Sequence, residues 1–354
     1  MIRIFLTGAH DLRTPFSYPA LTPLWSGFAR LVTQPADADL YLFAHIQDIK
    51  DASSELVTDW RQRQPPVVLL SEEPFWDSIW TRQPLTRPLV VDTEFGPLPV
   101  IQLNHHTSTI FDFDQIPYYL LSDHRFANAY AARFTRNAAL TPDDWQAQFS
   151  ARTRHLTFMF ERRPEPFHNL VWGDGDLIGL CAWRTELAQL CRQDMGAGTV
   201  DLLGQSWQGG PTRFEIGNWR GGWHRDKLTR LDGHARMIGA LENTHQPNYL
   251  SEKLFDAFAC GAWPLYYASR QHRVHGLGLP QDAWANLFGL SPQKAATQVS
   301  ALTFTPKMFT AYAEAQKRLA RLFATPSIWT AERRRLATAL RAELEQVLDT
   351  KTVP

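Results

Sequence analysis

The sequence predicts an α/β protein of two domains, each built on a parallel sheet with covering helices. Three observations carry that prediction. At 354 residues, 44% of them hydrophobic, the chain exceeds what one compact core holds. Short apolar runs that end in polar loops alternate with helical stretches, the order a parallel sheet requires. A well-marked helix start near residue 141 separates two such series.

The first series opens with Ile2-Arg3-Ile4-Phe5-Leu6, which runs into Thr7-Gly8-Ala9-His10 as a parallel strand runs into its loop. Apolar runs at residues 40–44 and 67–70 read as further strands, and residues 21–31 as an intervening helix. Ligands of such sheets sit beyond the carboxyl ends of the strands, which points to the loops at residues 7–11, 45 and 71–73. Thr141 as N-cap, Pro142 at the first helical position and Asp143 and Asp144 in the first turn predict a helix to about residue 150, the join between domains. The second series follows: strand 155–160, helix 183–191, strands 200–203 and 237–241, helix 251–260 and strand 264–267. Helices at 308–323 and 330–348 close the chain. The expected division is therefore 1–150 and 151–307, two Rossmann-like domains, followed by C-terminal helices in 308–354.

Charge is balanced, with 36 basic and 36 acidic residues, which argues against a nucleic-acid or polyanion binder. Three cysteines in unrelated contexts, Cys181, Cys191 and Cys260, read as buried thiols. The first apolar run is too short for a signal h-region and no apolar stretch of about 18 residues occurs, so a cytoplasmic protein is expected. Thirteen tryptophans offer flat apolar faces with one polar edge, suited either to carbohydrate clefts or to filling cores. Arg333-Arg334-Arg335 in the last helix reads as a solvated face or as a peripheral contact with the anionic inner face of a membrane.

The segment richest in chemistry runs from Leu241 to Leu265. It holds Glu242-Asn243, then Tyr249-Leu250-Ser251-Glu252-Lys253-Leu254, then Gly261-Ala262-Trp263-Pro264-Leu265, and reads as strand end, polar loop, capped helix and second strand. Ser251 is the expected cap, which leaves the positive end of the helix facing an anion. Glu252 offers an acceptor for sugar hydroxyls and Lys253 a point charge for phosphate. Leu254, Phe255, Phe258 and Ala259 give a buried stripe, and Gly261 ends the helix. A bare Ser-Glu-Lys would be ordinary helix surface; the longer string is not.

Over residues 230–269 this string resembles the α-1,3/4-fucosyltransferases, whose usual form reads Glu-Asn-Ser, Asp-Tyr-Ile-Thr-Glu-Lys-Leu and Ala-Gly-Ala-Val-Pro-Val. Ser251 stands here for Thr, Asn248 for Asp, and Tyr267-Ala268-Ser269 lacks the usual Gly. The resemblance implies an α/β GT-B fold, with two Rossmann-like domains facing across a cleft, and an inverting transfer without a metal. GDP-fucose would be the donor, and a cell-surface glycan or lipopolysaccharide sugar the acceptor. It assigns Glu242, Asn243, Tyr249, Ser251, Glu252 and Lys253 to the donor, with Glu252 on the ribose and Lys253 on ribose or phosphate. Arg184, in Trp183-Arg184-Thr185-Glu186-Leu187, would bind the diphosphate, or else would cover the helix surface with its stem. Ser71-Glu72-Glu73-Pro74 resembles the family's strand end whose first glutamate is the general base, which assigns that role to Glu72 with Glu73 as rival. His10 and Asp11 are further acceptor-side candidates, His10 lining the cleft or capping a turn. The alternatives are a different nucleotide sugar on the same fold, and a non-catalytic nucleotide- or glycan-binding protein.

Gly173-Asp174-Gly175-Asp176 lacks calcium-loop spacing and reads as a turn. His105-His106 has no acidic partner at helical spacing, and Asp112-Phe113-Asp114 reads as a loop or core rim, so no metal site is expected.

Overall fold

A computed structural model describes residues 1–210 and 223–349; residues 350–354 of the expected C-terminal segment lie outside the described residues. The chain is α/β and divides into two compact units. Unit 1 comprises Met1–His124, Trp172–Leu177 and the chain from Trp329 onward, and unit 2 comprises Arg125–Val171 and Ile178–Ile328. The first division thus falls at residue 124 rather than 150. The helix after Thr141 is not a join but an internal element of unit 2, and the two C-terminal helices belong to different units.

Unit 1 contains strands β1 (Ile2–Leu6), β2 (Ala29–Leu31), β3 (Leu40–Phe43), β4 (Val67–Leu70), β5 (Pro88–Thr93) and β6 (Gly96–Leu103). Its helices are α1 (Thr22–Trp25), α2 (Ile46–Lys50), α3 (Ser54–Arg63), α4 (Pro74–Trp80) and α5 (Tyr118–Leu121). The sheet order is β2-β1-β3-β4-β6-β5, parallel throughout except for β5 at the edge. β3 and β4 are buried along their whole length and packed between layers, which explains their unbroken apolar runs. On one face Tyr41, Phe43, Val67, Leu69, Leu98 and Val100 meet Ile49, Leu56 and Val57 of α2 and α3. The helix expected over residues 21–31 is corrected: one turn ends before Gly27, and Ala29–Leu31 forms an edge strand parallel to β1. Glycine raises the entropic cost of continuing the helix, while the Phe28 carbonyl accepts from Ile2 N–H at 2.8 Å and starts the ladder.

Unit 2 begins with helices α6 (His124–Ala138) and α7 (Pro142–Ala151). Thr141 caps α7 as the sequence predicts, in a reciprocal capping box with Asp144. Strands β7 (Arg154–Met159), β8 (Val171–Trp172) and β9 (Leu177–Gly179) are followed by α8 (Cys181–Met195), β10 (Val200–Leu203), α9 (Trp223–Leu231), β11 (Ala235–Gly239) and β12 (Thr244–His245). Then come α10 (Lys253–Ala259), β13 (Trp263–Tyr266), β14 (Ala285–Asn286), α11 (Pro292–Ser300) and α12 (Pro306–Ala324). The main sheet, β10-β7-β11-β13-β14, is parallel throughout. Residues 173–176 form the turn between β8 and β9, as expected. Trp145 of α7, Trp263 of β13 and Tyr312 of α12 pack together with Phe149 and Phe258 in the core, so these tryptophans fill space rather than bind sugar.

The last helix, α13 (Pro326–Asp349), joins unit 1 through buried carboxylates. Glu332 accepts the backbone N–H groups of Asp114, Gln115 and Ile116, and Glu343 accepts that of Thr109 at 2.8 Å. In the arginine cluster Arg333 donates to the Ala20 carbonyl and Arg335 to the Thr109 and Ile110 carbonyls, while Arg334 is exposed. The cluster is therefore split between internal bonding and solvent. The three cysteines are free and buried, as the sequence predicts. No helix among the described residues is long and apolar enough to cross a membrane.

Candidate active site

Strands β11 and β13 are parallel neighbours, so α10, which joins them, starts at the carboxyl end of the unit 2 sheet. There the buried Glu242 carboxylate accepts three donors: Ser251 N–H at 2.9 Å, Ser251 Oγ at 2.8 Å and Lys253 Nζ at 2.7 Å. The helix begins at Lys253, with Glu252 rather than Ser251 in the cap position and no side-chain capping bond from Glu252; the Ser251 hydroxyl donates to Glu242 and accepts the Lys253 N–H at 3.5 Å. Glu252 is only 4% exposed and lies 3.7 Å from Lys227 Nζ and 3.8 Å from Lys253 Nζ. Burial opposes its charge, but Lys253 and Lys227 outweigh that and hold its carboxyl below the usual range. Lys253 keeps 19% of its side chain accessible.

A second layer, which the sequence did not reveal, lies behind Glu252. Asp256 forms an ion pair with Lys227 Nζ at 2.5 Å, accepts from Tyr130 Oη at 2.7 Å, and pairs with His224 Nε2 at 2.6 Å. Burial works against the Asp256 charge, yet Lys227 and His224 hold the group well down. Asp256 sits inside the apolar stripe of a helix buried all round. A carboxylate there needs a buried cation, and that was the available signal.

Arg184 is 2% exposed, its guanidinium 4.4 Å from the Phe160 ring centre and donating to the Leu241 carbonyl at 2.9 Å. It lies in the first turn of α8, packed between the chain ends that follow β7 and β11, so it does not cover the helix surface with its stem. Asn243 accepts at its carbonyl from Leu180 N–H at 2.9 Å, and Tyr249 is buried with its carbonyl accepting from His272 Nε2 at 3.0 Å. Of the expected donor residues, the structure joins Glu242, Ser251, Glu252 and Lys253 in one network and leaves Arg184 beside it, on the Leu241 carbonyl.

In unit 1 the neighbouring glutamates point differently, as alternation at a strand end requires. Glu72 is buried at 5% exposure and accepts from Arg13 Nε at 2.6 Å, Tyr18 Oη at 2.6 Å and Tyr118 Oη at 2.8 Å. Burial and the Glu72 charge push both tyrosines well up, so they stay donors. Glu73 is the more accessible and lies 3.8 Å from Arg13 Nη2. A carboxylate enclosed by three donors, one of them cationic, is poorly placed to collect a proton from a substrate. Glu72 therefore stands as a buried anchor in this arrangement.

The loop after β1 carries a different group. His10 Nδ1 lies 2.8 Å from Asp48 Oδ1, and His10 N–H donates to Asp48 Oδ2 at 3.0 Å. The ring stacks on His45 at 4.5 Å between centres and meets Trp76 edge-on at 5.3 Å. Asp11 is half-buried, its carboxyl raised by that burial and by Asp48 against a lowering bond from Leu12. A cleft of about 370 Å3 shares Gly8, Ala9 and Asp48 with this loop and is lined further by Thr7, Asp51 and Glu55. Acids and hydroxyls without lysine or arginine suit a hydroxylated ligand better than an anion.

His105 stacks on Phe111 at 4.2 Å and bonds the Glu72 carbonyl through Nε2, and Asp114 lies in a loop held by Glu332. Among the described residues no group of three or more His, Cys, Asp or Glu side chains is arranged to hold a metal ion. Neither protein-family models nor curated proteins give a match to the chain.

Proposed function

We propose that the chain is an inverting glycosyltransferase of GT-B type that moves a sugar from a nucleotide diphosphate donor to a glycan hydroxyl, with fucose from GDP-fucose the best single donor. One observation carries the reading. The residues of the family-like string converge at the carboxyl end of a parallel sheet, where Lys253, its side chain partly accessible, holds its ammonium against buried Glu242 and Glu252. That end of a doubly wound sheet is where nucleotides bind, and a lysine held as a point charge suits a leaving diphosphate. The reading assigns the donor to unit 2 and the acceptor to unit 1.

The test is a thermal-shift screen of nucleotide sugars followed by nucleotide-release assays. A ligand at 100 times its dissociation constant raises stability by about 2.7 kcal/mol. GDP-fucose should raise the melting temperature most and release GDP slowly in water. Stabilisation by another nucleotide sugar would keep the reaction and change the donor. Binding without any release would make the chain a non-catalytic nucleotide-binding protein, and no response to any nucleotide sugar would overturn the reading.

A further inference from the structure

We propose that His10, oriented by Asp48, is the proton acceptor for the acceptor hydroxyl; this rests on the transferase reading above and replaces Glu72 in that role.

The arrangement starts from backbone. Gly8 has φ +115°, and a Cβ there would lie 2.3 Å from Asp48 Oδ2, so a glycine is what lets the loop after β1 close onto α2. Closed in this way, Asp48 spends both oxygens on one residue, Oδ2 on the His10 backbone and Oδ1 on its ring. The Asp48 side chain is 4% accessible and that of His10 22%. A buried carboxylate is costly unless paired, and here its partners are the backbone and ring of His10. A hydrogen on Nδ1 pointed at Asp48 Oδ1 leaves Nε2 as the nitrogen of the ring that can take a proton.

The rest of the surroundings clamp the ring without occupying Nε2, for which no hydrogen-bond partner is found among the described residues. His45 stacks on one face. Its Nδ1 accepts from Gln47 N–H at 3.0 Å, and burial, with His10 and Lys50, pulls its pKa down to about 3, so it adds no charge. Trp76 closes the edge, and its own ring carries Arg13 at 5.4 Å, which is in turn paired with Glu72 and lies near Glu73. Asp11, near Asp48, is the remaining acid at this loop. Trp80, 45% exposed and 6.3 Å from His45, offers the open apolar plane on which a sugar ring stacks. Packing alone would explain a histidine between aromatic rings; it would not explain the buried carboxylate that fixes its tautomer.

In the step so assigned, the acceptor oxygen attacks the anomeric carbon while its proton passes to His10 Nε2. The bond from that carbon to the diphosphate oxygen breaks, and the electron pair leaves with GDP. The imidazolium formed is paired with Asp48.

The experiment measures GDP release from GDP-fucose by the full chain, with water or sodium azide as nucleophile, alongside GDP affinity by calorimetry. Azide is an anion and needs no base. His10→Ala should lower release in water by about 10²–10⁴ with GDP affinity unchanged, and azide should restore release and yield fucosyl azide. Should His10→Ala fail to fold, His10→Gln is assayed in its place. Asp48→Asn, a positioning variant, should lower kcat by about 10²–10⁴ with KM for GDP-fucose unchanged. Release in His10→Ala within a few-fold of the parent overturns the proposal. So does a loss that azide fails to restore, and so does azide rescue of Glu72→Gln in place of His10→Ala. No release by the parent chain from any nucleotide sugar of the screen sinks the transferase reading itself, a failure visible before any variant is made.

Discussion

The Lys253 ammonium lies 2.7 Å from the Glu242 carboxylate, and the lysine is the more accessible of the two, 19% against 3%. One side chain neutralises a buried acid and, on the proposed reading, also meets a ligand. The two roles separate experimentally. Lys253→Ala should cost on the order of 2–3 kcal/mol by stranding Glu242 with Ser251 alone, somewhat less than the loss of a fully buried partner. It should also weaken GDP binding at least tenfold, which is about 1.4 kcal/mol. Adding Glu242→Gln should recover most of the stability in urea titrations and none of the affinity measured by calorimetry. Recovery of affinity as well would reduce Lys253 to a structural role.

Glu72 and Glu73 should differ in stability as sharply as they differ in surroundings. Glu72→Ala leaves half-buried Arg13 without its 2.6 Å partner and two buried tyrosine hydroxyls without theirs, an expected loss of about 3–5 kcal/mol. Glu73→Ala loosens a longer, 3.8 Å contact with Arg13 and should cost clearly less than Glu72→Ala. Chemical denaturation of the two variants checks the ranking, and the reverse order would place the anchor at Glu73.

Alkaline pH should loosen unit 1 through Asp77. Burial, the largest effect, pushes its carboxyl from 3.8 to about 8, opposed next by Ser71, helped by Glu73 and opposed last by Asn104. The folded chain therefore holds a proton that the unfolded chain releases, so stability present below pH 4 is lost as pH rises toward 8. The full effect is on the order of 5 kcal/mol at one pKa unit per 1.36 kcal/mol. Asp77→Asn should flatten this slope in melting curves between pH 5 and 9; an unchanged slope would mean that Asp77 ionises freely.

Acid should act in the opposite sense through buried histidines. Burial, then His245, pulls His272 down to about 3, and burial pulls His245 down to about 4. Unfolding at low pH lets both charge, so stability present above pH 6.5 is lost as pH falls toward 3. His245 packs among Tyr267, His272 and Phe288, which should accept another aromatic ring. His245→Phe should move the acid midpoint of unfolding downward. A midpoint that stays put would assign acid sensitivity elsewhere.

The proposed function gives the charge for the leaving diphosphate to Lys253, so GDP release is expected to persist in EDTA. Release abolished by EDTA and restored by manganese would transfer that duty to a cation.

Much of the architecture was legible because its signals are local. Ile2–Leu6, Val67–Leu70 and Val200–Leu203 are strands to the residue, and the Thr141 cap folds as read. The helix expected over residues 21–31 failed because one glycine and the pairing of Ala29–Leu31 with β1 outweighed local propensity. In the site, sequence identified Glu242, Ser251, Glu252 and Lys253 but not their wiring, since hydroxyl and ammonium directions follow from packing. Lys227 and Asp256, 29 positions apart by number, meet only after α9 and α10 are folded. His10 and Asp48 are likewise 38 residues apart, and no spacing rule links them.

The attachment of α13 to unit 1 reverses the order in which the two units are completed during synthesis. All of unit 2 has been made by Ile328, whereas unit 1 still awaits Glu332 and Glu343, which hold the backbone around residues 109–116. Nascent chains ordinarily settle from the amino end. Here the amino-terminal unit must wait on the ribosome for a segment translated after all of unit 2, and a chain terminated at residue 328 would carry a finished second unit behind an unfinished first.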